Sequence, residues 1–307
     1  MVKTVTRKPK RRTRILRLAL VTTVGTLIIF YVALCIVYAH VFTTSPIRSL
    51  GKDLPTNVGL PYEEISFPSS DNPKITLRGW FIPNDKTKQA IILVHGQNSN
   101  RTQMLHVGKP LWDKGYNLLL FDMQGHGASD GEFYTFGQNE QWGVVGAANY
   151  LKGRGFKSES IGALGWSLGA VSSLMAFGQS HDIKAVVSDS GYGDFARMIS
   201  TRFTEQTHLP GIFLAGILVS GSIFRGMDVN KIRPEDAVKN TGGRKALIIQ
   251  GTVDQTVPVS EAHKIIAAGG SNVESWILPG VGHADAFWQN EPEYISRVTT
   301  FFNRELV

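Results

Sequence analysis

The sequence predicts an α/β protein with a doubly wound, mostly parallel sheet and one transmembrane helix before it. Short runs rich in Ile, Leu and Val alternate with segments of helical pattern, and this alternation indicates parallel strands joined by helices. Several of the runs are apolar throughout, as expected where helices cover both faces of a sheet. An apolar stretch at 18–42 without Lys, Arg, Asp or Glu predicts the membrane helix.

The predicted elements follow one another along a single domain at 61–307. Strands are expected at 63–67, 75–81, 90–94, 117–121, 160–164, 183–188, 246–250 and 273–278. Helices are expected at 101–114, 138–152, 168–178, 259–268 and 291–304. The alternation stops at about 191–244, so we expect this insertion to form a small helical cap.

The N-terminal region is interpreted as a tail, an anchor and a linker. The apolar stretch at 18–42 exceeds the ~20 residues that cross a bilayer and the roughly 7–15 apolar residues of a signal peptide. It is therefore predicted to be an uncleaved signal anchor, followed by a Pro- and Gly-containing linker at 43–60. The basic tail at 1–17 favours a cytoplasmic N-terminus, which would leave the domain outside the cytoplasm or in a lumen.

Composition excludes several classes of function. Residues 1–17 hold eight of the 32 Lys and Arg residues and no acidic residue, so the rest of the chain carries 24 basic and 25 acidic residues. A nucleic-acid-binding domain would need a basic face, and no nucleic-acid partner is expected. The single cysteine, Cys35, excludes a disulfide and a cysteine-based metal site within one chain.

A candidate nucleophile lies between a predicted strand and a predicted helix. The pattern Gly-Trp-Ser-Leu-Gly at 165–169 matches the G-x-S-x-G nucleophile elbow, in which a tight turn exposes the serine. A serine is a weak nucleophile and needs a base together with a group that orients the base. The pattern predicts Ser167 as the nucleophile.

The acid and the base are expected downstream of the serine, after the last two strands. Asp254 lies in a turn after the strand at 246–250, and His283 lies in a Gly-rich loop after the strand at 273–278. Both residues can lean over Ser167 if the strands are parallel. The predicted triad is therefore Ser167, Asp254 and His283, and its chemistry requires no metal or cofactor.

An oxyanion hole is expected where the strand at 90–94 ends. The backbone N–H groups of Gln97 and Leu168 would stabilise the negative oxygen that forms during acyl transfer. His95 precedes this loop, which fits a structural role better than the competing role of a base.

Together these motifs resemble the landmarks of the α/β-hydrolase superfamily. The set comprises His-Gly at 95–96, the motif at 121–127, the elbow at 165–169, Gly-Thr-Val-Asp at 251–254 and Gly-His at 282–283. The segment 77–83 resembles the entry strands of its single-domain, prolyl-oligopeptidase-related branch. The resemblance covers about 60–305 and implies that Asp122 and His126 shape the loop beside the site.

The resemblance also implies a second candidate acid, because some relatives carry their acid at the position of Asp189. The residues expected to shape the site without performing chemistry are His95, Gly96, Asp122, His126 and Trp166.

The favoured function is hydrolysis of carboxylic esters, with lysophospholipid- or monoacylglycerol-like esters suggested by the anchor and the apolar insertion. A peptidase or amidase of prolyl-oligopeptidase type and a non-catalytic tethered binding module are the alternatives. The insertion includes an apolar run at 209–224 that is too short for a second membrane span. Our hypothesis is that this segment forms one wall of an acyl-binding pocket beside Ser167, so that Phe213→Ala and Leu214→Ala should change the chain-length preference. Packing against the core alone is the alternative.

Overall fold

The computed structural model describes residues 11–307, apart from the side chain of Gln206. The first ten residues of the predicted basic tail lie outside the described residues. The strands are β1 (Glu63–Pro68), β2 (Thr76–Ile82), β3 (Ala90–Val94), β4 (Asn117–Phe121), β5 (Ile161–Trp166), β6 (Ala185–Asp189), β7 (Lys245–Gly251) and β8 (Val273–Leu278). The helices are α1 (Arg11–Thr43), α2 (Leu105–Asp113), α3 (Glu140–Gly153), α4 (Leu168–Gln179), α5 (Phe195–Thr207), α6 (Ile212–Arg225), α7 (Pro234–Ala237), α8 (Val259–Gly269), α9 (Ala286–Gln289) and α10 (Glu291–Glu305).

The eight strands form one mostly parallel sheet in the order β1-β2-β4-β3-β5-β6-β7-β8. Strand β2 pairs antiparallel with β1 and with β4, and the remaining neighbours pair in parallel. From β3 the chain proceeds to β4 on one side and later to β5 on the other. Such a switch point is where open α/β sheets bind ligands, beyond the carboxyl ends of the strands.

Helices cover both faces of the sheet, as the continuous apolar runs predict. Along β3, Ile92 and Val94 belong to one buried cluster, whereas Ile91 and Leu93 belong to the cluster on the other face. Successive strand residues point to opposite faces. A strand covered on both faces is therefore apolar throughout and shows no alternation of apolar and polar residues. Burial of each such side chain stabilises the fold by about 1.5–3 kcal/mol.

The structure confirms the predicted fold class and shifts some element boundaries. The helix predicted at 101–114 begins as a 3-10 turn at Arg101–Met104, capped by the side chain of Asn100, before α2 starts. Strand β6 extends to Asp189, one residue beyond the prediction. The insertion between β6 and β7 contains α5, α6 and α7, in agreement with a helical cap.

Helix α1 has 33 residues, which corresponds to about 50 Å. Among residues 11–307 it is the one unbroken helix long and apolar enough to cross a membrane. Helix α6 has 14 residues, about 21 Å, and is too short to cross the ~30 Å hydrocarbon core alone. The end of α1 packs against α6, where Cys35 and Ala39 are buried.

Candidate active site

Ser167 occupies a strained turn between β5 and α4. Its backbone has φ 53° and ψ −115°, a conformation that residues with a side chain seldom adopt. The turn needs glycine on both sides of the serine. A Cβ atom on Gly165 would lie 2.2 Å from the carbonyl carbon of Gly169, and one on Gly169 would lie 2.1 Å from the carbonyl oxygen of Val94.

The three residues of the predicted triad lie in one chain of hydrogen bonds. His283 Nε2 is 2.8 Å from Ser167 Oγ, and His283 Nδ1 is 2.7 Å from Asp254 Oδ2. The serine hydroxyl can thus donate to Nε2 while Nδ1–H donates to the carboxylate. This arrangement can transfer the serine proton to the imidazole during attack on a carbonyl carbon.

The Asp254 carboxylate is buried and held by several donors besides His283. Oδ1 accepts hydrogen bonds from the backbone N–H groups of Thr256 and Val257, each at 2.8 Å. Oδ2 accepts one from Gln250 Nε2, also at 2.8 Å. The carboxylate therefore has little freedom to rotate and fixes the orientation of the imidazole. Gln250 was not identified from the sequence, although a polar residue at the end of an apolar strand is a usable signal.

Asp189, the alternative acid, makes a different set of contacts. Its carboxylate accepts hydrogen bonds from Ser190 Oγ at 2.9 Å and from Tyr294 OH at 3.1 Å. Its backbone carbonyl accepts a hydrogen bond from Ser167 N–H. Burial raises the pKa of Asp189 to about 6. These contacts place the side chain beneath the elbow, whereas Asp254 contacts the histidine.

Ser190 connects this position to the histidine loop and was missed by the sequence analysis. Its hydroxyl accepts a hydrogen bond from Ala284 N–H at 2.9 Å. Both Ser190 and Ala284 have positive φ, at 61° and 54°. The contact fixes the backbone next to His283, and no sequence motif signals it.

Gln97 and Leu168, the predicted oxyanion-hole residues, line the same cavity as Ser167. Leu168 begins α4, so its N–H lies at the positive end of a helix dipole. The Gln97 side chain donates a hydrogen bond to Tyr134 OH at 2.5 Å. The preceding Gly96 N–H donates to Gln103 Oε1 at 2.8 Å. These bonds hold the loop after β3 beside the serine.

His95 makes structural hydrogen bonds and is unsuited to act as a base. Its Nδ1 lies 2.7 Å from the Gly96 carbonyl oxygen, and its Nε2 accepts a hydrogen bond from Met123 N–H at 3.0 Å. Burial lowers the pKa of His95 to about 4. His126 packs against His95 with ring centroids 5.1 Å apart, and burial, followed by the nearby His95, lowers the pKa of His126 to about 3.

Asp122 organises two loops beside the site. Oδ1 accepts a hydrogen bond from Arg101 N–H at 2.7 Å, and Oδ2 accepts one from Ala128 N–H at 2.8 Å. On the other side of the elbow, Trp166 Nε1 donates to Tyr294 OH at 3.0 Å. These side chains are buried and support the loops that contact the serine.

A cavity of about 200 Å³ extends from Ser167 toward the helical insertion. Its lining is mainly apolar and includes Met198 and Phe203 from α5 and Leu214 and Ile217 from α6. The hypothesis for the insertion is right in placing Leu214 beside the cavity. It is wrong for Phe213, whose ring packs against Tyr31 of α1 with centroids 5.2 Å apart.

Across residues 11–307, no group of three or more His, Cys, Asp or Glu side chains is arranged to hold a metal ion.

Several known proteins are similar to this chain. Residues 99–307 match the sequence profile of the prolyl oligopeptidase family. A solved esterase of Pyrococcus furiosus has a TM-score of 0.73 and 26% identity, covering 86% of this chain and 99% of the esterase. The uncharacterized protein YqkD of Bacillus subtilis is 24% identical over 233 residues, which are 74% of this chain and 75% of YqkD. A carboxylesterase of the same organism is 35% identical over 100 residues, or 32% of this chain and 39% of that protein.

The fold and these similarities define a serine hydrolase of the α/β-hydrolase superfamily. Since the family profile matches about two thirds of the sequence, the chain belongs to the prolyl oligopeptidase family. The resemblance noted from the motifs is thereby confirmed.

Proposed function

We propose that the protein is a membrane-anchored carboxylic-ester hydrolase whose substrates are lipid-like esters with one apolar acyl chain. The observation that carries the proposal is the hydrogen-bond chain of Ser167, His283 and Asp254 beside a mainly apolar cavity that Ser167 lines. A nucleophile next to an apolar cavity supports acyl transfer from a substrate with an apolar acyl group.

The proposed reaction follows from the geometry of the triad. His283 Nε2 takes the Ser167 proton as Oγ attacks the substrate carbonyl, while Asp254 stabilises the imidazolium. The imidazolium then protonates the leaving alcohol, and an acyl-serine remains. A water molecule deprotonated by His283 attacks the acyl-serine, which releases the carboxylic acid and restores the serine hydroxyl. The N–H groups of Gln97 and Leu168 stabilise the oxyanion in both steps.

The cavity supports an ester with a slender apolar group. At about 200 Å³ it is smaller than the roughly 300–1,000 Å³ pockets that enclose drug-sized ligands. The small volume and the apolar lining favour a single acyl chain. The similarity to a Pyrococcus furiosus esterase supports an ester as the substrate class.

A peptidase or amidase is the second candidate, and membership of the prolyl oligopeptidase family favours it. The same triad cleaves amides as well as esters. A non-catalytic binding module is the third candidate, which the hydrogen-bonded triad does not favour.

Two assays separate the candidates. An alkyl fluorophosphonate should label the wild type covalently and leave Ser167→Ala unlabelled, whereas a binding module would not react. A panel of p-nitrophenyl esters and peptide p-nitroanilides should then give turnover of esters with little turnover of amides. Preferential cleavage of the anilides would contradict ester hydrolysis and support the peptidase as the function.

The membrane assignment has its own test. We infer that the apolar part of α1 at 18–42 crosses the bilayer with residues 1–17 in the cytoplasm, followed by a linker at 43–60 and the hydrolase domain at 61–307. The protein should stay in the membrane pellet through alkaline carbonate washing, and protease added from the non-cytoplasmic side should digest the domain. A soluble mature form that starts near residue 43 would contradict the anchor.

A further inference from the structure

We propose that the membrane anchor is part of the substrate site: α1 closes the far end of the cavity, and Ala39 limits the length of acyl chain that the enzyme accepts. The inference rests on the proposed ester hydrolysis. It assigns to α1 a role in specificity in addition to its role as a tether.

The cavity lining carries the inference. Ala39, Phe42 and Thr43 from the last turns of α1 line the same cavity as Ser167. They line it together with Leu214 and Ile217 of α6, against which the end of α1 packs. An acyl chain that fills this cavity from Ser167 Oγ would therefore lie against side chains of α1.

Helix α1 packs closely against α6, so its position at the cavity is fixed. A Cβ atom on Gly216 would lie 2.5 Å from Cys35 Sγ, so the two helices approach through small residues. Such residues allow close packing between helices in membranes. The Tyr31 hydroxyl adds a hydrogen bond to the carbonyl oxygen of Ile212 at 2.8 Å.

The end of α1 is also joined to the loops of the site. Tyr134 N–H donates to the Thr43 carbonyl oxygen at 2.8 Å, and Gly127 N–H donates to the Ile47 carbonyl oxygen at 2.9 Å. The hydroxyl of the same Tyr134 accepts the hydrogen bond from Gln97. Because these bonds connect α1 to the loop after β3, the distance from Ser167 to Ala39 is set by the fold.

The size of two side chains determines the depth of the site. Ala39 is only 5% exposed and presents one methyl group, so a larger side chain would occupy the space of the terminal part of a chain. Phe42 is half-buried and lines the same end, so its removal would lengthen the space. The two substitutions should change the chain-length preference in opposite directions.

The first experiment uses the full chain in nanodiscs and p-nitrophenyl acetate, octanoate and dodecanoate. Ala39→Phe should lower kcat/KM for octanoate and dodecanoate by at least about tenfold, because a few methylene groups decide such discrimination, and should leave acetate nearly unchanged. Phe42→Ala should raise kcat/KM for dodecanoate relative to kcat/KM for octanoate. Val37→Phe is the matched control, since Val37 lies on the exposed side of the same helix and should keep the wild-type profile.

Equal profiles for Ala39→Phe and Val37→Phe would overturn the proposal while ester hydrolysis stands. If Ala39→Phe misfolds and hydrolyses none of the esters, Phe42→Ala provides the test. An unchanged chain-length profile in Phe42→Ala would also overturn the proposal. A wild type that hydrolyses none of the esters contradicts the proposed function itself.

The second experiment locates the chain end directly. A long-chain alkyl fluorophosphonate with a terminal diazirine is attached to Ser167 and then irradiated. Trypsin releases most of α1 in one peptide, 18–48, because this segment has no Lys or Arg before residue 48. The crosslink should appear on that peptide and should decrease for a short-chain probe. Crosslinks confined to other peptides would overturn the proposal.

Discussion

The two ends of the cavity are constructed differently. At the reacting end, Ser167, His283 and Asp254 follow the carboxyl ends of parallel strands, and each side chain is held by short hydrogen bonds. At the helical end, helices α1, α5 and α6 contribute apolar side chains that make mainly packing contacts. Hydrogen bonds define an orientation, whereas apolar packing defines only a volume. The reacting end should therefore tolerate almost no substitution, and the helical end should change its preference gradually.

The largest expected effect is the loss of the nucleophile. Ser167→Ala should lower kcat by about 10⁴–10⁶-fold, because triad residues act as a unit. The melting temperature should not fall, since alanine removes only the hydroxyl at this position. Steady-state kinetics with p-nitrophenyl butyrate and a thermal melt test both statements. Substantial residual turnover would show that another group attacks the carbonyl.

Asp254→Asn should be the next most damaging change. An amide at this position cannot favour the Nδ1–H tautomer as the carboxylate does, and a loss of about 10⁴-fold in kcat is expected. Asp189→Asn provides the matched control, because it changes a neighbouring buried carboxylate that contacts Tyr294 and Ser190 instead of His283. If Asp189→Asn abolished turnover while Asp254→Asn kept it, the acid would have been assigned to the wrong residue.

At the helical end, Leu214→Ala should change selectivity more than overall activity. Leu214→Ala removes apolar contacts between the cavity wall and a long acyl chain, so kcat/KM for octanoate and dodecanoate should both fall by about tenfold, without the shift between these two esters expected for Phe42→Ala and with a much smaller change for acetate. Phe213→Ala is the control on the adjacent residue, because Phe213 packs against Tyr31 and should lower stability without altering the profile. Equal losses for all chain lengths in Leu214→Ala would leave core packing as the role of this residue.

The smallest effect concerns the pH dependence of stability. Burial raises the pKa of Asp189 to about 6 from its ordinary value of 3.8, so the folded protein binds this proton more tightly than the unfolded chain. That stabilisation is complete below pH 3.8 and is lost as the pH rises to about 6. Asp189→Asn removes this pH dependence. The difference in melting temperature, variant minus wild type, should therefore increase by a few degrees as the pH is raised from about 4 to 7. A constant difference across that range would contradict the raised pKa.

Much of the fold and of the reacting end could be predicted because their signals are local. A run of apolar residues followed by a Gly-rich turn identifies the end of a buried strand, and parallel strands end at the same edge of the sheet. Ser167, Asp254 and His283 each follow such a run. Ser190 could not be assigned in the same way, because its hydroxyl contacts the backbone of Ala284, which is 94 positions away and is brought near only by the fold. Gln250 is only four residues from Asp254, but the turn between them decides that the two side chains meet.

The sequence by itself determined the order of the elements, the position of the nucleophile turn and the presence of an apolar helix before the domain. Tertiary structure alone decided that Leu214 faces the cavity while Phe213 faces Tyr31, and that Ala39 lines the cavity of Ser167. The physical reason is that α1 and α6 are both apolar around most of their circumference. Hydrophobicity then requires burial in protein or lipid but does not select the neighbour, and close packing between residues distant in the chain makes that selection.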